Sequence, residues 1–136
     1  MKLRPFIFAI IATITLFLSL ISPASSMDDP GFIINRMVIC GKIIGKEPVA
    51  IGETFSAVTE KIYCFLEAQE IEADTTVSFV WYFEDTEMAR VALPLNKGMR
   101  WRTYSSKKLA GLKGNWKVEL QDYSGIVLNT VSFQVQ

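Results

Sequence analysis

An all-β fold is predicted for this chain of 136 residues by three features. Apolar and polar residues alternate with period two in run after run of the second part of the chain. Gly, Pro, Asn and Asp punctuate these runs at short intervals. No segment beyond the N-terminus shows a helical period. About seven or eight short strands with turns between them describe a small antiparallel, immunoglobulin-like β-sandwich.

The first residues read differently. Lys2 and Arg4 precede an uncharged, mostly apolar run from Pro5 to Ile21, followed by the small-residue stretch "SPASS". That order is a secretory signal peptide over 1–26, with Ala24 and Ser26 at the cleavage positions. The alternative is an uncleaved anchor of residues 5–21, whose helix of roughly 25 Å is somewhat short of a hydrocarbon core of about 30 Å. Residues 27–35 are expected as a linker and 36–136 as the sandwich domain. The expected address is extracytoplasmic, periplasmic or secreted, with membrane association only if the N-terminal segment is retained.

The strands follow in order. In "NRMVICGKIIG", Met37, Ile39 and Ile43 alternate with their neighbours. "EPVAIGETFSA" is extended, since Pro48 restricts Glu47 to extended geometry. "EKIYCFLEA" places Ile62, Cys64 and Leu66 on one face, and "FLEAQEIEAD" reads as an acidic connection. "TTVSFVWYFE" is apolar on both faces, as a central strand is. "MARVALPL" turns Val91, Leu93 and Leu95 inward, and Pro94 places it at a sheet edge. "RWRTYSSKK" follows the "NKG" turn. "NWKVEL" and "IVLNTVSFQV", joined by "DYSG", form a hairpin with Trp116, Val118, Leu120, Val131, Phe133 and Val135 inward.

Composition narrows the chemistry. The chain contains no histidine, which removes histidine-based triads, histidine-ligated zinc and histidine proton shuttling. With the leader removed, acids exceed bases by about two, so there is no accumulated positive charge for nucleic acid. No cofactor is expected. Cys40 and Cys64, in an exported chain, are expected to form a disulfide worth about 3 kcal/mol by loop-closure entropy. Two buried free thiols are the alternative.

Three clusters invite a functional reading. Glu84, Asp85 and Glu87 beside aromatic rings could act as paired glycosidase acids or hold calcium, but the stretch also reads as a solvated hairpin turn without a calcium-loop motif. Ser105 and Lys108 satisfy the bare S-x-x-K pattern of penicillin-recognising enzymes. Side chains three apart on a strand point to opposite faces, so that match lacks its context. The third cluster is a polar display. Arg100, Arg102, Tyr104 and Ser106 share one face of a strand, with Trp101, Thr103 and Ser105 on the other. Arg102 and Tyr104 would then face outward, able to take a carboxylate or sugar hydroxyl by bidentate and stacking contacts. The bland reading pairs Arg102 with a cross-strand acid such as Glu119.

Taken together, "EPV" (Glu47 to Val49), "IYCF" (Ile62 to Phe65), "VWYFEDTEMARVALPL", "WRTYSSKKL" and "GNWKVELQDYSGIVL" resemble the bacterial domain-of-unknown-function family 2914. That family carries an R-T-W-S-S-K signature followed by a G-x-W-x-V hairpin. The signature falls on Arg102, Thr103, Tyr104, Ser105, Ser106 and Lys107, and the later motif on Gly114, Trp116 and Val118. Tyr104 stands where tryptophan is usual, and Phe79 where a histidine often precedes the central-strand tryptophan. The resemblance implies an extracytoplasmic sandwich domain and no activity.

The functional expectation is a non-catalytic module that contacts a partner protein, peptide or envelope glycan through Trp101, Arg102, Tyr104, Ser105, Ser106 and Lys107. Two rival readings are an envelope hydrolase using Ser105 or Ser106 with Lys107, or Glu84 with Glu87, and a purely structural domain of a larger assembly.

Overall fold

The computed structural model describes residues 29–136; the signal-peptide and anchor readings of 1–26 lie outside the described residues. Nine strands follow: β1 (Ile33–Ile44), β2 (Glu47–Ile51), β3 (Thr54–Phe55), β4 (Lys61–Ile71), β5 (Thr75–Phe83), β6 (Thr86–Leu95), β7 (Gly98–Lys108), β8 (Gly114–Gln121) and β9 (Val127–Val135). They form a four-stranded sheet in the order β2-β1-β4-β7 and a five-stranded sheet in the order β3-β9-β8-β5-β6. Pairing is antiparallel except between β3 and β9. The all-β sandwich expected from the alternation is the fold observed.

Period-two patterning explains the core. Met37, Ile39, Cys64, Leu66 and Ala68 line the inner face of the four-stranded sheet; Val77, Phe79, Trp81, Trp116, Val118, Leu120 and Phe133 line that of the other. Each large apolar side chain removed from water contributes about 1.5–3 kcal/mol. Trp116 stacks on Phe133 at 5.9 Å between ring centroids, and Trp81 meets the same ring edge-on at 6.2 Å. β5 sits between β6 and β8 and turns Val77, Phe79 and Trp81 to the core, with Val80 buried as well, and Pro94 lies on the edge strand β6.

Three features depart from the sequence reading. β1 begins at Ile33, with Phe32 already in the core. β4 continues to Ile71 through the stretch read as an acidic connection, because Ala68 and Ile71 extend its inner apolar face. The expected Cys40–Cys64 disulfide is absent, and both thiols are free and buried. Register is the reason: Cys40 pairs with Tyr63, while Cys64 pairs with Ile39. Successive side chains on a strand point to opposite faces, so a one-residue offset sends the two sulfurs to opposite sides of the sheet. Burial pushes both thiol pKa values up.

The β1–β2 hairpin positions the site. Arg36 and Ile44 are eight residues apart on β1, about 26 Å along an extended strand. Glu47, directly opposite Ile44, nonetheless accepts a hydrogen bond from Arg36 at 3.1 Å. The hairpin therefore curls back over the outer face of its own sheet. At the other end of that sheet the "NKG" turn carries the chain from β6 in one sheet to β7 in the other, and Lys97 N–H donates to the Asp74 carboxylate at 2.7 Å to fix the crossover.

Candidate functional site

The strand β7 carries the predicted display, and its alternation falls as the sequence indicates. Tyr104 pairs with Phe65 and Arg102 with Glu67 on the outer face; Ser105 pairs with Cys64 and Thr103 with Leu66 on the inner face. Trp101 is half-buried and packs against the core, with its indole N–H unpartnered among the described residues. Ser106 is exposed. Lys107 is half-buried, and its ammonium donates to the backbone carbonyl of Lys108 at 3.0 Å.

Ser105 is a core residue. It is 3% exposed, and its hydroxyl accepts a hydrogen bond at 2.9 Å from the Trp81 indole across the sandwich. A buried indole N–H needs such a partner. Ser105 therefore bridges the sheets and is not placed as a nucleophile open to a substrate.

Arg102 is fixed by two carboxylates. Its Nε donates to Glu67 Oε1 at 2.9 Å and its terminal nitrogen lies 2.8 Å from Glu47 Oε1. Neither is Glu119, the acid suggested by the sequence; Glu119 lies on β8 in the opposite sheet. The other Glu67 oxygen accepts from Asn35, and the other Glu47 oxygen accepts from Arg36. Arg100 stands 4.0 Å from Glu67. The hydrogen bond from Arg102, then that from Asn35, holds the Glu67 carboxyl below the usual carboxylate range despite burial. The Arg36 guanidinium lies 4.9 Å above the Phe65 ring, which is buried although it points away from the core.

This network makes a floor for an aromatic corner. Tyr104, 47% exposed, meets Tyr63 edge-on at 5.7 Å. A cavity of about 340 Å³ opens beside it, lined by Lys46, Phe65, Arg102, Thr103 and Tyr104. Lys46 reaches it only because the hairpin curls. Sequence reasoning missed Asn35, Arg36, Lys46, Glu47 and Glu67; the available signal was Glu67 itself, an acid inside the apolar run "CFLEA".

The acids of the β5–β6 turn do not converge. Glu84 accepts the Asn115 backbone N–H at 2.9 Å, Glu87 pairs with Arg90 at 2.8 Å, and the exposed Asp85 lies 3.7 Å from Lys117. Among the described residues no group of three His, Cys, Asp or Glu side chains could hold a metal ion.

Fold and site together define an immunoglobulin-like β-sandwich with a polar, aromatic-bearing outer sheet face. Residues 74–135 match the model of a family described as "Protein of unknown function (DUF2914)". The resemblance read from the later motifs, including Arg102 to Lys107 and Gly114 to Val118, lies within that span; "EPV" and "IYCF" fall outside it. An immunoglobulin-like protein from Pseudomonas aeruginosa is similar in structure, with TM-score 0.55 and 11% identity over 77% of this chain and 96% of that one. A beta-glucosidase from Listeria innocua matches at TM-score 0.48 and 7% identity, over 76% of this chain but 15% of that enzyme. No curated protein matches the chain.

Proposed function

We propose that this chain is a non-catalytic, extracytoplasmic binding module that contacts a partner protein, peptide or envelope glycan through the Arg102–Lys107 strand and the face around it. The observation that carries the reading is the corner formed by Tyr104, Lys46 and the clamped Arg102 guanidinium around a 340 Å³ cavity. Two carboxylates orient Arg102 before any partner arrives, and some of its five N–H donors remain for a ligand oxygen. Tyr104 adds a ring that stacks and a hydroxyl that hydrogen-bonds, a combination favoured at binding surfaces. The burial of Ser105 and the divergent turn acids support the non-catalytic part. The extracytoplasmic part rests on the Lys2/Arg4, apolar and small-residue order of 1–26.

The test is a crosslinking pull-down from the protein's own envelope with Tyr104→Ala and Lys46→Glu, against Tyr123→Ser as a control on a distant turn. Loss of the same partner in both site variants but not in the control is expected. Unchanged recovery in both variants would remove this face from the account.

A further inference from the structure

Four strands bound the two sheets, and three of them are guarded against further pairing. β3 has two residues, β2 has five and contains Pro48, and β6 carries Pro94. Short length and proline are common protections of a sheet edge. β7 runs eleven residues with neither. It carries four cations, Arg100, Arg102, Lys107 and Lys108, and no acid.

The phase of its backbone is fixed by its continuation. Leu109 N–H donates to the Glu60 carbonyl at 3.1 Å, one pair beyond Lys108 opposite Lys61. In an antiparallel pair the residues that point their backbone groups at the partner alternate with those that point them away. Trp101, Thr103, Ser105 and Lys107 therefore address β4, while Arg100, Arg102, Tyr104, Ser106 and Lys108 turn theirs to the open side. The neighbouring ladder has the same phase. Ile39, opposite Cys64, turns its carbonyl to Gly52 in the chain after β2. The Lys108 carbonyl already takes the Lys107 ammonium. β7 ends the sheet order, with β4 as its paired neighbour, so Arg100, Arg102, Tyr104 and Ser106 turn their backbone donors and acceptors to a side where no further strand pairs among the described residues.

We infer that β7 takes up an extended acidic polypeptide segment as an added strand of the four-stranded sheet. The inference deepens the binding reading above and rests on it. Main-chain bonds to the four open residues supply affinity, and alternate side chains supply selectivity. Arg36, Arg100 and Arg102 share the two carboxylates of Glu47 and Glu67, with Arg100 the most distant at 4.0 Å. One positive charge of that network is therefore left over at the Arg100 end, and those of Lys107 and Lys108 stand at the other. The fitting segment has acids at both ends and a short apolar or hydroxyl-bearing middle beside Tyr104. A second copy of the chain is the poorer occupant because it brings four more cations and no acid to an edge that already carries four, and pairing about Tyr104 would set Arg100 directly opposite Lys108.

The experiment is amide hydrogen exchange by NMR on the purified exported protein. The probe is a capped peptide of about nine residues, a usual strand length, with Thr and Glu alternating at both ends and Val-Thr-Val between; a second peptide has Lys for every Glu. With the acidic peptide, exchange at Arg102, Tyr104 and Ser106 is expected to slow at least tenfold, with Thr103 and Ser105 unchanged. The basic peptide should leave all five unchanged. Ser106→Pro removes an open-side N–H without taking a donor from the β4 ladder, at an edge position where proline is tolerated, and should weaken binding at least tenfold. Unaltered exchange at the edge amides, equal effects of the two peptides, or undiminished binding by Ser106→Pro would overturn strand addition. If the peptides do nothing while Tyr104→Ala still loses its envelope partner, the binding face stands and its use as a strand template falls.

Discussion

Replacing Glu67 with Gln should cost stability well beyond a surface substitution. Glu67 is 5% exposed and joins three strands, accepting from Asn35 on β1 and from Arg102 on β7. Hydrogen bonds to a charged group contribute about 1.5–3 kcal/mol, against about 0.5–1.5 kcal/mol for neutral ones. Gln keeps the size and one acceptor but removes the charge, so a loss of about 2 kcal/mol is expected. Glu67→Ala should cost about 3 kcal/mol, the low end for breaking a buried pair, because Arg102 keeps Glu47. Urea denaturation at a series of pH values measures both. The folded carboxyl titrates below its ordinary range, so its contribution is complete above pH about 4.3 and declines as pH falls through the lowered value. The gap between the native protein and the Gln variant should therefore narrow in acid. A loss under about 0.5 kcal/mol at pH 7, or a gap independent of pH down to the acid limit of folding, would refute the reasoning.

Other expectations follow from single contacts. Ser105→Ala strands the Trp81 indole N–H in the core and should cost about 1–3 kcal/mol, with partner recovery in the pull-down unchanged; chemical denaturation and the same pull-down check it. Both cysteines should resist a thiol reagent in the native state and react on unfolding without reductant, because they are buried and unbonded; thiols that appear only after reduction would contradict the register. Asp122 accepts from the backbone N–H of Ser124 and of Ile126 and from the Ser124 hydroxyl. Asp122→Ala should cost about 1 kcal/mol and speed amide exchange at Ser124 and Ile126.

Local pattern carried most of the fold into the sequence. The β8–β9 hairpin, with Trp116, Val118 and Leu120 against Lys117 and Glu119, and the two faces of β7 are set by period-two alternation, which depends on nothing distant. What stayed illegible is what depends on pairing. The one-residue offset between Cys40 and Cys64 is a register, and register is settled only when two strands meet. Glu67 looked like part of a solvated connection because its partners are 32 and 35 residues away. The curl that brings Lys46 and Glu47 over Phe65 belongs to the assembled hairpin. Arg102 and Tyr104 could thus be placed on a face from sequence, while the acids that clamp the one and the cavity beside the other could not.

The central proposal is that this outer face meets a partner, and site-specific photocrosslinking in intact cells tests it most directly. A photoreactive phenylalanine analogue at position 104 should yield a discrete adduct, and the same group at the exposed turn position of Tyr123 should not. No adduct from position 104, or the same adducts from both positions, would contradict the account.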